Sequence, residues 1–245
     1  MTNEIRMLSK NPIELFILKF ELMKLTEGDI QKIITKISNL FARVEKKTQT
    51  NFEIKFTTDI SEINKSEVFD YVLINEIDRF SLTFSSTQKA FWFETNYYID
   101  NRTYNELIKH LIIAFDSADI DLTSKRIGMR YINKIKCEKI KDIKKYFNND
   151  ISKNLSSRAA NSNISRLIIQ EEFTYDDLKT RIQYGIPNKF YPAVLNNYDL
   201  LLDIDSFDIS VLTYKDWENT LLTLNHASYT AFVSFINPRY LQNLI

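Results

Sequence analysis

The stretch "RIGMRYINKI", residues 126–135, decides the fold of this 245-residue chain. Successive side chains of a β-strand point to opposite sides, so the stretch divides into two faces. One face holds Arg126, Gly128, Arg130, Ile132 and Lys134, and the other holds Ile127, Met129, Tyr131, Asn133 and Ile135. The second face is apolar except for Asn133, which needs hydrogen bonds wherever it is buried. We predict a long strand over residues 124–137, with its apolar face on the core.

The segments around this strand show the same alternation. Residues 13–20, 52–56, 68–77, 80–98, 164–175, 177–186 and 200–208 alternate apolar and polar positions or are rich in β-branched and aromatic side chains. Such patterns are typical of half-buried antiparallel strands. Apolar residues at helical spacing predict helices over 27–47, 102–118 and 213–236. The predicted fold is α+β, a mostly antiparallel sheet packed with three main helices.

The order of these elements suggests two similar-looking α+β halves. The first covers residues 1–148 and the second covers residues 164–245. The polar, small residues of 149–163 between them predict a loop or linker. We expect the two halves to pack as one compact unit.

Composition excludes several classes of protein. Three glycines, at 28, 128 and 185, cannot supply a dinucleotide-binding or Walker loop. With 32 basic and 32 acidic residues, the chain is not a generally basic nucleic-acid binder, although a local patch remains open. One cysteine, Cys137, and two histidines argue against disulfides and structural zinc. We expect no cofactor and no metal.

Localisation follows from similar observations. Residues 1–12 contain no apolar core of signal-peptide length. No apolar run is long enough to span a bilayer. We expect a cytoplasmic protein with no membrane partner.

The charged face of residues 126–135 allows two interpretations. It is either a solvated or ion-paired strand face, with Gly128 serving a bulge or close packing. Alternatively, Arg126, Arg130 and Lys134 form a ligand-binding site for phosphate or carboxylate groups, because guanidinium groups bind such anions well. Asp203 and Asp205 share a strand face in "LLLDIDSFD" (200–208). They could hold a metal ion or pair with the two arginines.

No other residue set points to catalysis. His110 and His226 lie in predicted helices, and Cys137 has no nearby histidine to activate it. No motif combines a nucleophile, a base and oxyanion donors, so we expect no catalytic residues and no enzyme of a common class. A cluster of aromatic residues could stack on nucleic-acid bases, but core packing is the commoner use of such residues. These aromatic residues are Phe91, Trp92, Phe93, Tyr97 and Tyr98.

Residues 126–135 resemble the pattern R-hydrophobic-G-hydrophobic-R-Y-I-N-x-I of a family of uncharacterised bacterial proteins of about this length. Weaker similarities extend along nearly the whole chain, including "LLLDIDSFD" (200–208) and "AFVSFINPRYLQNLI" (231–245), where Asn237 stands at a position usually held by Thr. The resemblance implies a family but no activity. The sporadic distribution of that family implies a setting in a bacterial defence or mobile-element module.

Two functional hypotheses follow. The first is a non-enzymatic binding or regulatory protein that recognises a partner protein, with aromatic and Arg side chains as anchors. The alternative is a sensor or binder of a phosphate-bearing ligand or single-stranded nucleic acid, through Arg126, Arg130 and Lys134. Self-association stays open under both hypotheses.

Overall fold

Nine strands form one antiparallel sheet. The computed structural model describes residues 11–56, 61–98, 100, 102–160, 164–195 and 198–245. The strands are β1 (Ile13–Leu22), β2 (Arg43–Phe56), β3 (Ser61–Asn75), β4 (Phe80–Ser85), β5 (Ala90–Thr95), β6 (Ser124–Ile135), β7 (Leu167–Tyr175), β8 (Leu178–Ile186) and β9 (Leu200–Asp208). They are ordered β2-β3-β4-β5-β1-β6-β9-β8-β7, and every neighbouring pair is antiparallel. The predicted α+β fold with a large antiparallel sheet is confirmed.

The described helices cover one face of this sheet. They are α1 (Glu27–Ile37), α2 (Arg102–Asp116), α3 (Ile143–Tyr146), α4 (Asn149–Ala159), α5 (Trp217–Phe235) and α6 (Pro238–Leu244). Short 3-10 turns occupy Ser38–Leu40, Ile140–Asp142 and Tyr214–Asp216. Buried side chains of all six helices belong to the two clusters that pack on the same face of the strands. None of these helices is both long and apolar enough to cross a membrane.

Strand β6 joins the two halves of the chain. It pairs with β1 on one side and with β9 on the other. All five positions predicted for its apolar face are buried, Tyr131 and Asn133 among them, and Ser124 and Gly128 are buried as well. The Asn133 Nδ2 donates to the Leu202 carbonyl oxygen at 2.9 Å, and the Tyr131 hydroxyl donates to Asn225 Oδ1 of α5 at 3.2 Å. The two polar groups of the core-facing side are therefore hydrogen-bonded.

Aromatic packing fills the core beneath the first half. The Phe16 ring stacks on Tyr104 of α2 with the centroids 5.5 Å apart and contacts Tyr131 at 4.9 Å. The Phe20 ring packs between Phe91 and Trp217, with ring centroids 4.8 and 4.4 Å away, respectively. The high aromatic content of the chain is therefore largely a packing feature, because such rings bury a large area each.

A smaller core lies beneath β8 and β9. Tyr184 and Phe235 meet edge to face, with the ring centroids 5.1 Å apart. At the boundary of the two cores, the Ser228 hydroxyl donates to Ser206 Oγ at 2.8 Å, and Ser206 lies 3.1 Å from Thr180 Oγ1. These buried hydroxyls satisfy one another and tie α5 to the sheet.

The first helix is shorter than predicted. The sequence predicts a helix over 27–47, but α1 ends at Ile37 and Arg43–Lys47 belong to β2. Val44 fits the helical spacing, but it lies in β2 and is 42% exposed, so it does not pack on the core as a helical residue would. Pairing of Arg43 with Ile74 of β3 replaces the local helical preference. The predicted start is correct, because Thr26 and Asp29 form a capping box.

The predicted loop or linker at 149–163 is wrong over most of its length, since residues 149–159 form α4. Asn148 caps this helix by accepting a hydrogen bond from the Ile151 N–H at 2.9 Å. Only one stripe, Ser152, Leu155 and Ala159, is buried. A single narrow stripe among polar residues gives a weak periodic signal, which explains the error.

Strands β2 and β3 continue beyond the rest of the sheet. β3 pairs with β4 only over Asp70–Asn75, whereas β2 and β3 pair from Arg43 opposite Ile74 to Phe56 opposite Ser61. The described pairing therefore leaves the far part of this hairpin as a two-stranded ribbon. Two-stranded ribbons are marginally stable alone in water.

A pair of glycine substitutions tests the packing at the sheet edge. Gly185 has a φ of +146°, and an added Cβ would collide with the Leu167 carbonyl oxygen on β7. We expect Gly185→Ala to lower the free energy of unfolding by about 2 kcal/mol or more. Gly28→Ala is the control, because its Cβ would meet only Thr26 Oγ1 at 3.9 Å, and a gain of about 0.5 kcal/mol is expected. Denaturant unfolding measures both, and equal effects would contradict this packing.

Candidate functional site: the open face of the sheet

The face of the sheet opposite the helices, here called the open face, carries the residues singled out by sequence. It is formed by the outward positions of the six strands from β5 to β7. These positions include Trp92, Glu94, Leu15, Ile17, Lys19, Glu21, Arg126, Arg130, Ile132, Lys134, Leu201, Asp203, Asp205, Phe207, Lys179, Arg181 and Gln183. Apolar and charged side chains are mixed here, and most are half-buried.

Gly128 makes room for the guanidinium of Arg126. A Cβ at position 128 would lie 3.0 to 3.2 Å from the guanidinium atoms of Arg126. Lying across this gap, the Arg126 guanidinium is 4.3 Å from the ring centroid of Phe207, the residue opposite Gly128 on β9. This is a cation–π contact, and it gives the glycine of the "RIGMR" stretch a packing role.

Both arginines of β6 are paired with carboxylates. Arg130 binds Asp203 through two hydrogen bonds, Nε to Oδ1 at 2.9 Å and Nη2 to Oδ2 at 2.6 Å. Arg126 reaches Glu21 of β1 at 3.4 Å and Asp205 of β9 at 3.3 Å. The ion-paired interpretation of this strand face therefore describes the geometry.

The pKa values of the site agree with this arrangement. Hydrogen bonding to Asp203 raises the pKa of Arg130 above its usual value. Burial raises the pKa of Asp205, while Arg126 and Arg130 act in the opposite direction. The two guanidinium groups therefore offset part of the cost of burying the Asp205 carboxylate.

Lys134 lies apart from the two arginines. Its Nζ is 3.4 Å from Glu14 Oε1, and the side chain of a second cation, Lys189 from the loop after β8, lies beside it. The structure therefore splits the three predicted binding residues into two environments. Arg126 and Arg130, together with Lys19, balance the carboxylates of Glu21, Asp203 and Asp205 in one neutral network. Lys134 lies beside a second cation, Lys189.

The structure does not bring together the histidines and aspartates that were considered for catalysis or metal binding. His110 is on α2 and His226 is on α5, in the helical layer, whereas Asp203 and Asp205 face the other way. His110 Nδ1 lies 2.7 Å from the Glu106 carbonyl oxygen of its own helix. Among the described residues no group of three or more His, Cys, Asp or Glu has the geometry of a metal site. Burial raises the pKa of the Cys137 thiol, which disfavours the nucleophilic thiolate.

The five aromatic residues proposed as a stacking platform are divided between the two faces. Phe91 and Phe93 are in the core. Trp92 is half-buried on the open face beneath the Lys19 ammonium, which is 5.6 Å from its ring. Tyr98 packs on Phe16, and Tyr97 is exposed beside Arg79. Of these five residues, only Trp92 lies on the open face.

Several residues of the site have no local sequence signal. Glu21 and Phe207 meet Arg126 only through the registers of β1 and β9 against β6. Arg181 extends the row of charges by pairing with Glu172 of β7 at 2.9 Å. Registers depend on long-range pairing, so periodicity within one strand could not reveal these partners.

No protein-family model matches the sequence, and no curated protein is significantly similar to it. The resemblance of residues 126–135 to a bacterial family stays a prediction.

Two truncations test whether the Arg130–Asp203 pair is a structural part of the open face. The Asp203 side chain is only 7% exposed, so Asp203→Ala is expected to lower the free energy of unfolding by about 2 kcal/mol. Glu172→Ala removes the more exposed pair with Arg181 and should cost less than about 1 kcal/mol. Urea denaturation of both variants gives the comparison. Equal losses would show that Asp203 is no more important than a surface residue.

Proposed function

We propose that this chain is a non-enzymatic binding or regulatory protein that recognises a partner protein through the open face of its sheet. The observation that supports the proposal is that apolar side chains and paired charges are mixed on this face. Half-buried apolar side chains such as Ile17, Ile132 and Trp92 lie among charges that already neutralise one another.

A paired charge network suits a protein partner for a physical reason. Arg130 is fixed by two bonds to Asp203, and Arg126 is held between Glu21, Asp205 and the Phe207 ring. Fixed side chains lose less conformational entropy when a partner binds. Aromatic and Arg side chains are also the commonest anchors of protein interfaces.

The same network weakens the alternative. A phosphate-bearing ligand at Arg126 and Arg130 would have to displace or tolerate three carboxylates, those of Glu21, Asp203 and Asp205. Like charges at close range disfavour that binding. We therefore favour protein recognition at the open face over a phosphate or nucleic-acid site built on the two arginines.

The proposed setting is the bacterial cytoplasm, in a defence or mobile-element module. The single cysteine, Cys137, is buried and unpaired, which is compatible with a reducing compartment. The module itself rests on the family resemblance of residues 126–135.

The test is a pull-down from the native host with open-face and control variants. Trp92→Ala combined with Ile17→Ala should reduce capture of the partner at least about tenfold, because both truncations remove interface contact area. Leu222→Ala combined with Ile113→Ala is the matched control, since these side chains are 53% and 66% exposed on the helical layer. Circular dichroism and thermal unfolding verify that both variants fold.

Bound nucleic acid and proteins are identified in the same pull-down at low and high salt. A partner protein retained at high salt by the wild type and lost only from the open-face variant supports the proposal. Recovery of nucleic acid alone, with capture abolished by Arg126→Ala plus Arg130→Ala in a folded protein, would contradict it. Binding to phosphate groups should also weaken steeply with salt.

A further inference from the structure

A lysine-rich segment follows the charged face of β6. Residues 134–145, "KIKCEKIKDIKK", contain six lysines and two acidic residues in a chain whose net charge is zero. Ile135, Cys137 and Ile143 are buried at 3%, 1% and 0% exposure. The lysines between them, Lys136, Lys139, Lys141, Lys144 and Lys145, are exposed. The apolar residues anchor the segment in the core, and the positive charges are left outside.

Few of these charges are neutralised. Lys145 pairs with Asp142 at 2.8 Å, and Lys134 pairs with Glu14 at 3.4 Å. In the described part of the chain, the four remaining lysines of the segment take part in no ion pair with a carboxylate. This distinguishes the segment from the open face, where both arginines of β6 are paired.

A cleft lies at the start of the segment. Its volume is about 390 Å³, and its lining includes Lys134, Lys136, Tyr240 and Asn243. The Tyr240 ring is half-buried and rests edge-on against Tyr146, with the centroids 5.1 Å apart. The cleft thus combines cations, an amide group and an aromatic ring at a size suited to a small ligand or one nucleotide.

Exposed aromatic residues stand beside this cationic end. The side chain of Lys189 lies beside that of Lys134, and Phe190 and Tyr191 follow Lys189 with 78% and 59% of their surfaces exposed. Asn188 fixes their loop by donating to the Ser165 and Ala193 carbonyl oxygens at 2.7 and 2.6 Å. Asn188 therefore fixes the loop backbone, and the Arg166 guanidinium lies 4.8 Å from the centroid of the Tyr191 ring.

We propose that the lysine segment 134–145, together with the cleft and the 187–195 loop, binds single-stranded nucleic acid. Unpaired lysines provide contacts to the phosphate backbone, and aromatic rings provide stacking surfaces for bases without sequence preference. This surface is separate from the paired arginines, and the inference does not depend on the proposed protein partner.

An anionic membrane is the less fitting occupant. Ile135, Cys137 and Ile143 of the lysine segment are buried and Ile140 packs against the same core, so the segment itself has no apolar face to insert. The exposed apolar side chains of the proposed surface are confined to the 187–195 loop. The cleft is concave and lined by hydrogen-bonding groups, which suits a base and its phosphate. Bases of a single strand are free to enter such a cleft, whereas those of a duplex are stacked and paired.

The test uses fluorescein-labelled oligo(dT) and oligo(rU) of about 20 nucleotides, with binding followed by fluorescence anisotropy. For about three phosphate contacts, affinity should fall about tenfold or more between about 50 and about 200 mM salt. The triple variant Lys136→Glu, Lys139→Glu, Lys141→Glu should bind at least about tenfold more weakly and show a smaller salt dependence. All three positions are exposed, so the fold should be retained.

The control variant is Lys32→Glu, Lys36→Glu, Lys215→Glu, which makes the same charge change at exposed lysines elsewhere. Phe190→Ala tests stacking and should weaken binding about fivefold or more without altering the salt dependence. Equal losses in the two triple variants would overturn the inference, because they would indicate net charge alone. No binding of either oligonucleotide at low salt, or binding only to vesicles rich in anionic lipid, would also overturn it.

Discussion

The whole structure depends on β6, a central strand that must bury one face against the helices and carry charges on the other. This strand is hydrogen-bonded on both edges, so it has no freedom to move away from the sheet. Its inner face must be apolar or hydrogen-bonded, because the helices bury it. Its outer face carries Arg126 and Arg130, and the carboxylates of β1 and β9 compensate them. Gly128 of the "RIGMR" stretch meets this demand, since it leaves the gap in which the Arg126 guanidinium lies.

Local periodicity was sufficient for the parts of the fold that are set within one element. The faces of β6, the strand at 200–208 and the starts of α1 and α2 could be predicted, because alternation and helical spacing are local signals. The end of α1 could not, since Arg43 is recruited into β2 by Ile74 of a distant strand. Helix α4 was missed because its buried stripe is narrow and its composition is polar.

The candidate site was predictable only in part for the same reason. The sequence allowed Asp203 and Asp205 either to hold a metal ion or to pair with the two arginines. The structure contains the ion pairs. The contacts of Glu21 and Phe207 with Arg126 depend on strand register, so the sequence near each residue gave no sign of them. The lysine run at 134–145 is visible in the sequence. Its separation from the neutral network appears only once Ile135, Cys137 and Ile143 are seen to be buried. Charge is therefore balanced on the open face, whereas four of the six lysines in the 134–145 segment pair with no carboxylate among the described residues. The two surfaces suit different partners.

The central claim is that β6 makes the two halves of the chain into one structural unit. Native-state hydrogen exchange of the β1, β6 and β9 amides tests it most directly. The account predicts that amides of all three strands exchange with a common free energy of opening, equal to that of global unfolding. Exchange of β9 with a distinctly lower opening free energy than β1, or two separate unfolding transitions, would contradict it.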